Sequence, residues 1–213
     1  DTLSEDWQTE LRTMVGIPQS QDEVLAGEGI EDDWFVLHRE TREVGDNQTE
    51  ATYLYGLRSD RITVRLSFIV PGRPSGELTL MVGKVYHAKA FPYKGRLNRR
   101  VLVQDVQIVD KEVIIHYHDS IEEAMVDYRD QMCCNPFVRY VPLLIHEVRL
   151  APEGDTFALY DMRGRRQPVS VSREHGLHFL TLTGGKPCGA FIIADEGEWQ
   201  LISIDYDGSY YTI

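Results

Sequence analysis

The sequence predicts an α+β, mainly-β fold: antiparallel sheets in two β-rich lobes, with an N-terminal helical segment and one central helix. Three observations carry this reading. Runs rich in β-branched and aromatic residues recur along the chain, separated by short turns. The stretch 119–136 combines helical spacing with a start and a stop signal. From residue 143 onward, short strand-like runs follow one another to the end. The expected division is a helical segment over 1–29, a β-rich lobe over 30–118, a connecting helix over 119–136 and an antiparallel β lobe over 137–213.

The elements follow in order. Trp7, Leu11 and Met14 stand at helical spacing and predict a helix through about Val15. Ser20 and Glu23 fit a capping box for a short second helix, which Gly27 can stop. Strands are expected at 34–38, 51–57, 61–70, 78–91 and 100–109, with "RSD" turning the second into the third. In the third, Ile62, Val64, Leu66 and Phe68 alternate with Thr63, Arg65 and Ser67, the period of a half-buried strand. "PGRPSG" over 71–76 reads as a loop. The helix over 119–136 has Asp119 or Ser120 as N-cap, Glu122 and Glu123 in its first turn, and Ile121, Met125, Tyr128 and Met132 on one face. Asn135-Pro136 ends it, because a residue before proline is disfavoured in the α region. Strands resume at 143–150, 156–161, 167–171, 177–182, 189–194, 199–204 and 210–213. No internal repeat stands out.

The chain carries 34 acidic and 22 basic residues, a formal net charge of -12. That balance argues against broad binding to nucleic acid or to anionic lipid, and no apolar run reaches membrane-spanning length. The opening "DTLSEDWQTE" is polar and acidic, unlike a signal peptide, and its lack of an initial methionine suggests a piece of a longer protein. Cys133, Cys134 and Cys188 make an odd count, a poor disulfide framework, which points to a reducing, cytoplasmic setting. No C-x-C or C-x-x-C is present for a thiolate zinc site, and no cofactor is expected in this segment.

Candidates for chemistry are few. In "HYHD", His116 and His118 would share one face of a strand beside Asp119, a workable metal clamp. The alternative is a strand end running into a helix cap, since no third ligand is identified. A metal-dependent hydrolase built on these residues is the most distant reading. No G-x-S-x-G elbow occurs, and Cys188 with a distant histidine is the remaining nucleophile pair. Basic residues cluster twice: Lys94, Arg96, Arg99 and Arg100, and then Arg163, Arg165 and Arg166. Each is a candidate patch for nucleic acid or an acidic partner surface, or an ordinary exposed loop. "TGGKPCG" over 183–189 invites a phosphate-loop reading. Pro187 follows Gly185-Lys186 where a hydroxyl residue is required, and Leu180 stands where the leading glycine belongs.

The ordered segments resemble the region downstream of the zinc finger in bacterial SWIM zinc-finger family proteins. "GIPQSQDEVLAG" (16–27) is similar to that family's G-x-P-x-S-x-E-E-L-L-A element, and "DDWFVLHRE" (32–40) to its D-x-W-x-V-L-G segment, with His38 where glycine is usual. "ATYLYGLRSDRITVRLSFIVPGRP" (51–74) resembles a strand pair in which Tyr53 replaces a tryptophan. "AFPYKGRLNRRVLV" (90–103) resembles an aromatic-Pro then Leu-Arg stretch. "CNPFVRYVP", "LYDMRGRRQPV" and "LTLTGGKPCGAFIIADEGEWQLISI" resemble N-P-W, D-x-x-G-x-x-x-P, and L-x-G-G-x-P followed by G-E-W. The finger's C-x-C and C-x-H ligands have no counterpart in these 213 residues, so zinc does not carry over.

The resemblance implies a parent with a finger that binds DNA or protein, often encoded beside a MoxR-type AAA+ ATPase and a von Willebrand A-type protein. The expectation is therefore a non-enzymatic protein-interaction module, with nucleic-acid binding through the basic loops as the alternative. Trp34, Tyr53, Tyr55, Phe91, Tyr93 and Trp199 are aromatic anchors if exposed and core residues otherwise. The resemblance also places G-G-x-P between two strands, so Gly184 and Gly185 are expected to turn the chain there with φ > 0.

Overall fold

The computed structural model describes residues 3–44, 47–69, 79–97 and 99–212. The chain is an α+β, mainly-β protein that divides into two compact units, Asp1–Ile115 and His116–Ile213. The loop expected at 71–76 lies outside the described residues.

In the first unit two helices, α1 (Glu5–Met14) and α2 (Gln21–Leu25), precede five strands: β1 (Ile30–Val44), β2 (Asn47–Gly56), β3 (Ile62–Ile69), β4 (Val85–Pro92) and β5 (Arg100–Val109). The strands close into a barrel in the order β1-β2-β3-β5-β4. β1 is long enough to serve two neighbours. Its first part pairs antiparallel with β4 from Ile30–Ala90 to Phe35–Val85, and from Trp34 to Val44 it pairs with β2. A bulge between Val36 and His38 interrupts the pairing with β2 just beyond the last pair with β4. β3 and β5 run parallel and meet through two pairs, Val64–Arg100 and Arg65–Val101. Five strands closed in this order, with β3 and β5 meeting in parallel, have the connectivity of an OB-type barrel.

Trp34, Val36, Leu54, Tyr86, Ala88 and Val101 form a core here, and the Trp34 indole donates to the Ala88 carbonyl at 3.1 Å. Val24 of α2 packs with Phe91 and Tyr93 in a smaller cluster. The capping box of α2 is present in full, with Ser20 and Glu23 bonding each other's backbone N–H. α1, in contrast, has no buried residue. Residues 79–84, expected as strand, turn instead before β4, with Gly83 at φ 77°.

The second unit holds α3 (Ile121–Cys134), β6 (Tyr140–Glu153), β7 (Thr156–Tyr160), β8 (Arg166–Val169), α4 (Arg173–Thr183), β9 (Cys188–Asp195), β10 (Glu198–Tyr206) and β11 (Ser209–Thr212). Its sheet order is β11-β10-β9-β6-β7-β8. β6 also changes neighbours at a bulge, pairing with β9 up to Val148 and with β7 from Arg149. Beyond β8, Ser170 forms a parallel bridge to Gln200, fixed by Ser170 N–H to Trp199 O at 2.7 Å and Leu201 N–H to Ser170 O at 3.0 Å. Ile121 and Ala124 of α3 and Phe179 of α4 share the core with Leu143, Ile145 and Ile192.

The two units share a connectivity. In each, the long first strand pairs with the second and the fourth, the second with the third, the fourth with the fifth, and the third meets the fifth in parallel. This repeat lies in the path of the backbone and leaves no sequence period.

One expected strand is a helix. Residues 177–182 fall in α4, whose N-cap Ser172 accepts the His175 N–H at 3.2 Å. Gly176 lets the helix approach the Phe157 ring, where a Cβ would sit 2.5 Å from the ring carbon Cζ. The C-terminal lobe is therefore not purely β, and the chain has a late helix besides the central one. Gly184 and Gly185 do take positive φ, 60° and 74°. They end a helix before β9 rather than joining two strands, Gly184 being its left-handed C-cap.

Candidate functional site

The feature that sets the barrel of the first unit apart is the exposure of β3. Its apolar alternation was legible, but the buried side is the polar one. Thr63 and Ser67 are buried, while Ile62, Val64 and Leu66 are half-buried and Phe68 is 61% exposed. Among the described residues, this face of β3 is only partly covered, which leaves an apolar surface partly open.

That surface opens onto a cleft of about 260 Å³. Beyond the pairs Val64–Arg100 and Arg65–Val101, the described parts of β3 and β5 form no further pairs. Arg65, Leu66 and Phe68 line one side, Arg100, Val103 and Val106 the other, with Tyr93 and Leu25 alongside. The Arg100 guanidinium stacks 4.2 Å from the Tyr93 ring centroid. Apolar walls beside two guanidinium groups suit an extended segment that carries both apolar and acidic side chains.

Of the first basic cluster, Arg100 enters this cleft and the others do not. Lys94 Nζ lies 3.4 Å from Glu5 Oε1, and its backbone pairs with the Gln19 amide through bonds of 2.8 and 3.2 Å. Arg96 stacks over Trp7 at 5.1 Å and donates its N–H to Glu10 at 3.2 Å. The Arg99 carbonyl accepts the Val64 N–H at 2.8 Å. The acidic side of α1 thus rests on the loop between β4 and β5.

The second basic cluster is held by acids of its own unit. Arg165 meets Glu122 at 3.1 Å. Arg166 Nε donates to Glu153 at 2.7 Å and its Nη2 bonds the other oxygen. The bonds from Arg166 and from the Tyr160 hydroxyl hold the Glu153 carboxyl down to about 2. Arg163 is exposed, and its N–H donates to Asp161 at 3.0 Å.

His116 is exposed, and His118 Nε2 lies 3.1 Å from Asp127. Tyr117 between them bonds Asp205 at 2.9 Å. Among the described residues, no three His, Cys, Asp or Glu side chains gather in a way that could hold a metal ion. Cys188 and His146 do line one recess, with Asp205 and Asp207. The Cys188 thiol donates to the Val148 carbonyl at 3.4 Å, and burial pushes it up to about 12, so it stays protonated and a poor nucleophile at neutral pH.

The six aromatic residues considered as anchors are all buried, so they serve packing. Sequence reasoning missed Phe68 and Arg65 as site residues. Alternation reveals two faces of a strand but not which one is covered. The chain matches no family model and no curated protein.

Proposed function

We propose that the chain is a non-enzymatic protein-interaction module, working without a cofactor in a reducing cytoplasmic setting, and that its partner docks in the cleft between β3 and β5. The observation that carries this reading is the outward apolar face of β3, ending at the exposed Phe68 beside Arg65 and Arg100. The net charge of -12 favours a protein partner over a polyanion. The resemblance to SWIM-type proteins makes a MoxR-type AAA+ ATPase or a von Willebrand A-type protein the first partner to test.

One observation favours a second reading. The loop bearing Lys94, Arg96 and Arg99 joins β4 to β5, which opens with Arg100, and OB-type barrels bind oligonucleotides beside that loop. This is fold analogy, and α1 already engages Lys94 through Glu5 and the Arg96 guanidinium through the Trp7 ring.

The test is affinity capture from lysate of the source organism with this chain as bait, half of the sample treated with nuclease. A protein recovered from both halves and lost with Phe68→Asp supports docking at the cleft. Recovery that vanishes with nuclease makes nucleic acid the ligand instead.

A further inference from the structure

The two units treat the same strand edge differently. In the second unit β10 pairs with β9 along one edge, and its other edge receives Ser170 at Gln200. Just beyond that bridge the same edge is filled by β11, antiparallel from Ser203–Thr212 to Tyr206–Ser209. β5 is the counterpart of β10. It pairs with β4 along one edge and meets β3 on the other at Arg100 and Val101. Among the described residues, no strand pairs with that second edge over Leu102–Val109. The cleft lies there, and Ile108 is 60% exposed.

We infer that the partner enters as an added strand, antiparallel to β5 along Leu102–Val109, in the place that β11 takes on β10. The inference rests on the docking reading above and specifies how the partner binds. An edge strand offers unpaired N–H and C=O groups, so main-chain bonds supply the attachment and alternate side chains supply the choice of partner. Residues facing the cleft are apolar, against Phe68, Val103 and Val106. Acidic residues near the third strand meet Arg65 and Arg100. β11 shows the scale of segment required, four residues. β5 also carries an irregularity, with Asp105 at φ 56° and a register shift between His87 and Lys89. β10 has its own shift between Leu201 and Ser203, immediately before β11 begins to pair.

The experiment selects binders from a displayed library of random ten-residue peptides against the intact chain, then measures amide hydrogen exchange on the complex. The expected result is enriched peptides with apolar and acidic residues in alternation. They slow exchange at amides within Leu102–Val109 and bind about tenfold more weakly to an Arg65→Glu/Arg100→Glu variant, which corresponds to about 1.4 kcal/mol. N-methylation of alternate peptide bonds abolishes binding while leaving side chains intact. Peptides that bind but protect other amides, or that tolerate N-methylation, overturn strand addition and leave the docking reading standing. If no peptide is enriched, or if oligo-dT alone protects these amides, the docking reading falls with it.

Discussion

The Asp161 carboxylate accepts the backbone N–H of Ile121 at 3.2 Å, tying the first turn of α3 to the turn between β7 and β8. The same carboxylate takes the N–H groups of Arg163 and Arg165 at 3.0 and 2.8 Å. Asp32 has a matching role in the first unit, accepting from Asp33, Arg58 and Ser59 around the turn between β2 and β3. Burial alone would raise the Asp32 pKa, yet bonds from Ser59, Asp33 and Arg58 hold it below the usual carboxylate value. The stretch around Asp161 builds a turn, whereas Asp32 stands in β1 and supports a neighbouring turn with its carboxylate. Asp161→Ala removes the acceptor of three backbone N–H groups, of which that of Ile121 is buried, and is expected to cost about 1–3 kcal/mol. Asp161→Asn keeps one acceptor and is expected to cost less. Urea denaturation of both variants checks this, and equal costs would contradict it.

Helix α1 should be dispensable for folding. It buries no side chain and is held through Glu5, Trp7 and Glu10 against the loop from Lys94 to Arg96. Exposed ion pairs contribute about 0–1 kcal/mol each. A chain starting at Gly16 is expected to unfold cooperatively with stability within about 2 kcal/mol of the original. It should also bind a heparin column more tightly, because Lys94 loses Glu5 and the Arg96 guanidinium loses its Trp7 cover. Loss of cooperative unfolding would show that α1 is part of the folding unit.

The thiols should divide by burial. Cys133 is exposed, whereas Cys188 is buried with its thiol pushed up to about 12. Iodoacetamide at pH 8 is expected to label Cys133 on the folded protein and to spare Cys188 until the chain is unfolded. Peptide mass spectrometry reads both sites in one sample. Rapid labelling of Cys188 in the folded state would reopen its pairing with His146 as a nucleophile and base.

Much of this fold was legible where a local signal names a local structure. Ser20 with Glu23, Ser120 before α3 and Asn135-Pro136 after it each act at the place the sequence marks. The run 177–182 misled because a short apolar stretch fits a strand or a helix equally, and the deciding signal, Ser172, stands five residues earlier. The basic clusters were visible as charge, but their partners Glu5, Glu10, Glu122 and Glu153 are brought to them only by the fold. The cleft was hidden for the same reason. Phe68 reads as core until the barrel shows which face of β3 is covered.

Glu153 supplies a prediction with a defined sign. Its folded pKa is depressed to about 2 from 4.5, chiefly by the bond from Arg166 and then by the Tyr160 hydroxyl. A depressed carboxylate favours the folded state above its unfolded pKa, and that contribution disappears as pH falls from about 4.5 through about 2. The β7–β8 hairpin should therefore loosen in acid before other exposed acids require it to. Glu153→Gln removes the titrating group, so its stability should fall less than the parent's over that window. Above pH 5 the parent is the more stable of the two, and the difference shrinks as pH falls through the window. Denaturation series at pH 2.5, 4 and 7 on both proteins give the comparison directly. Parallel pH profiles would mean that solvent screens the Glu153–Arg166 pair so well that folding does not perturb the carboxyl group.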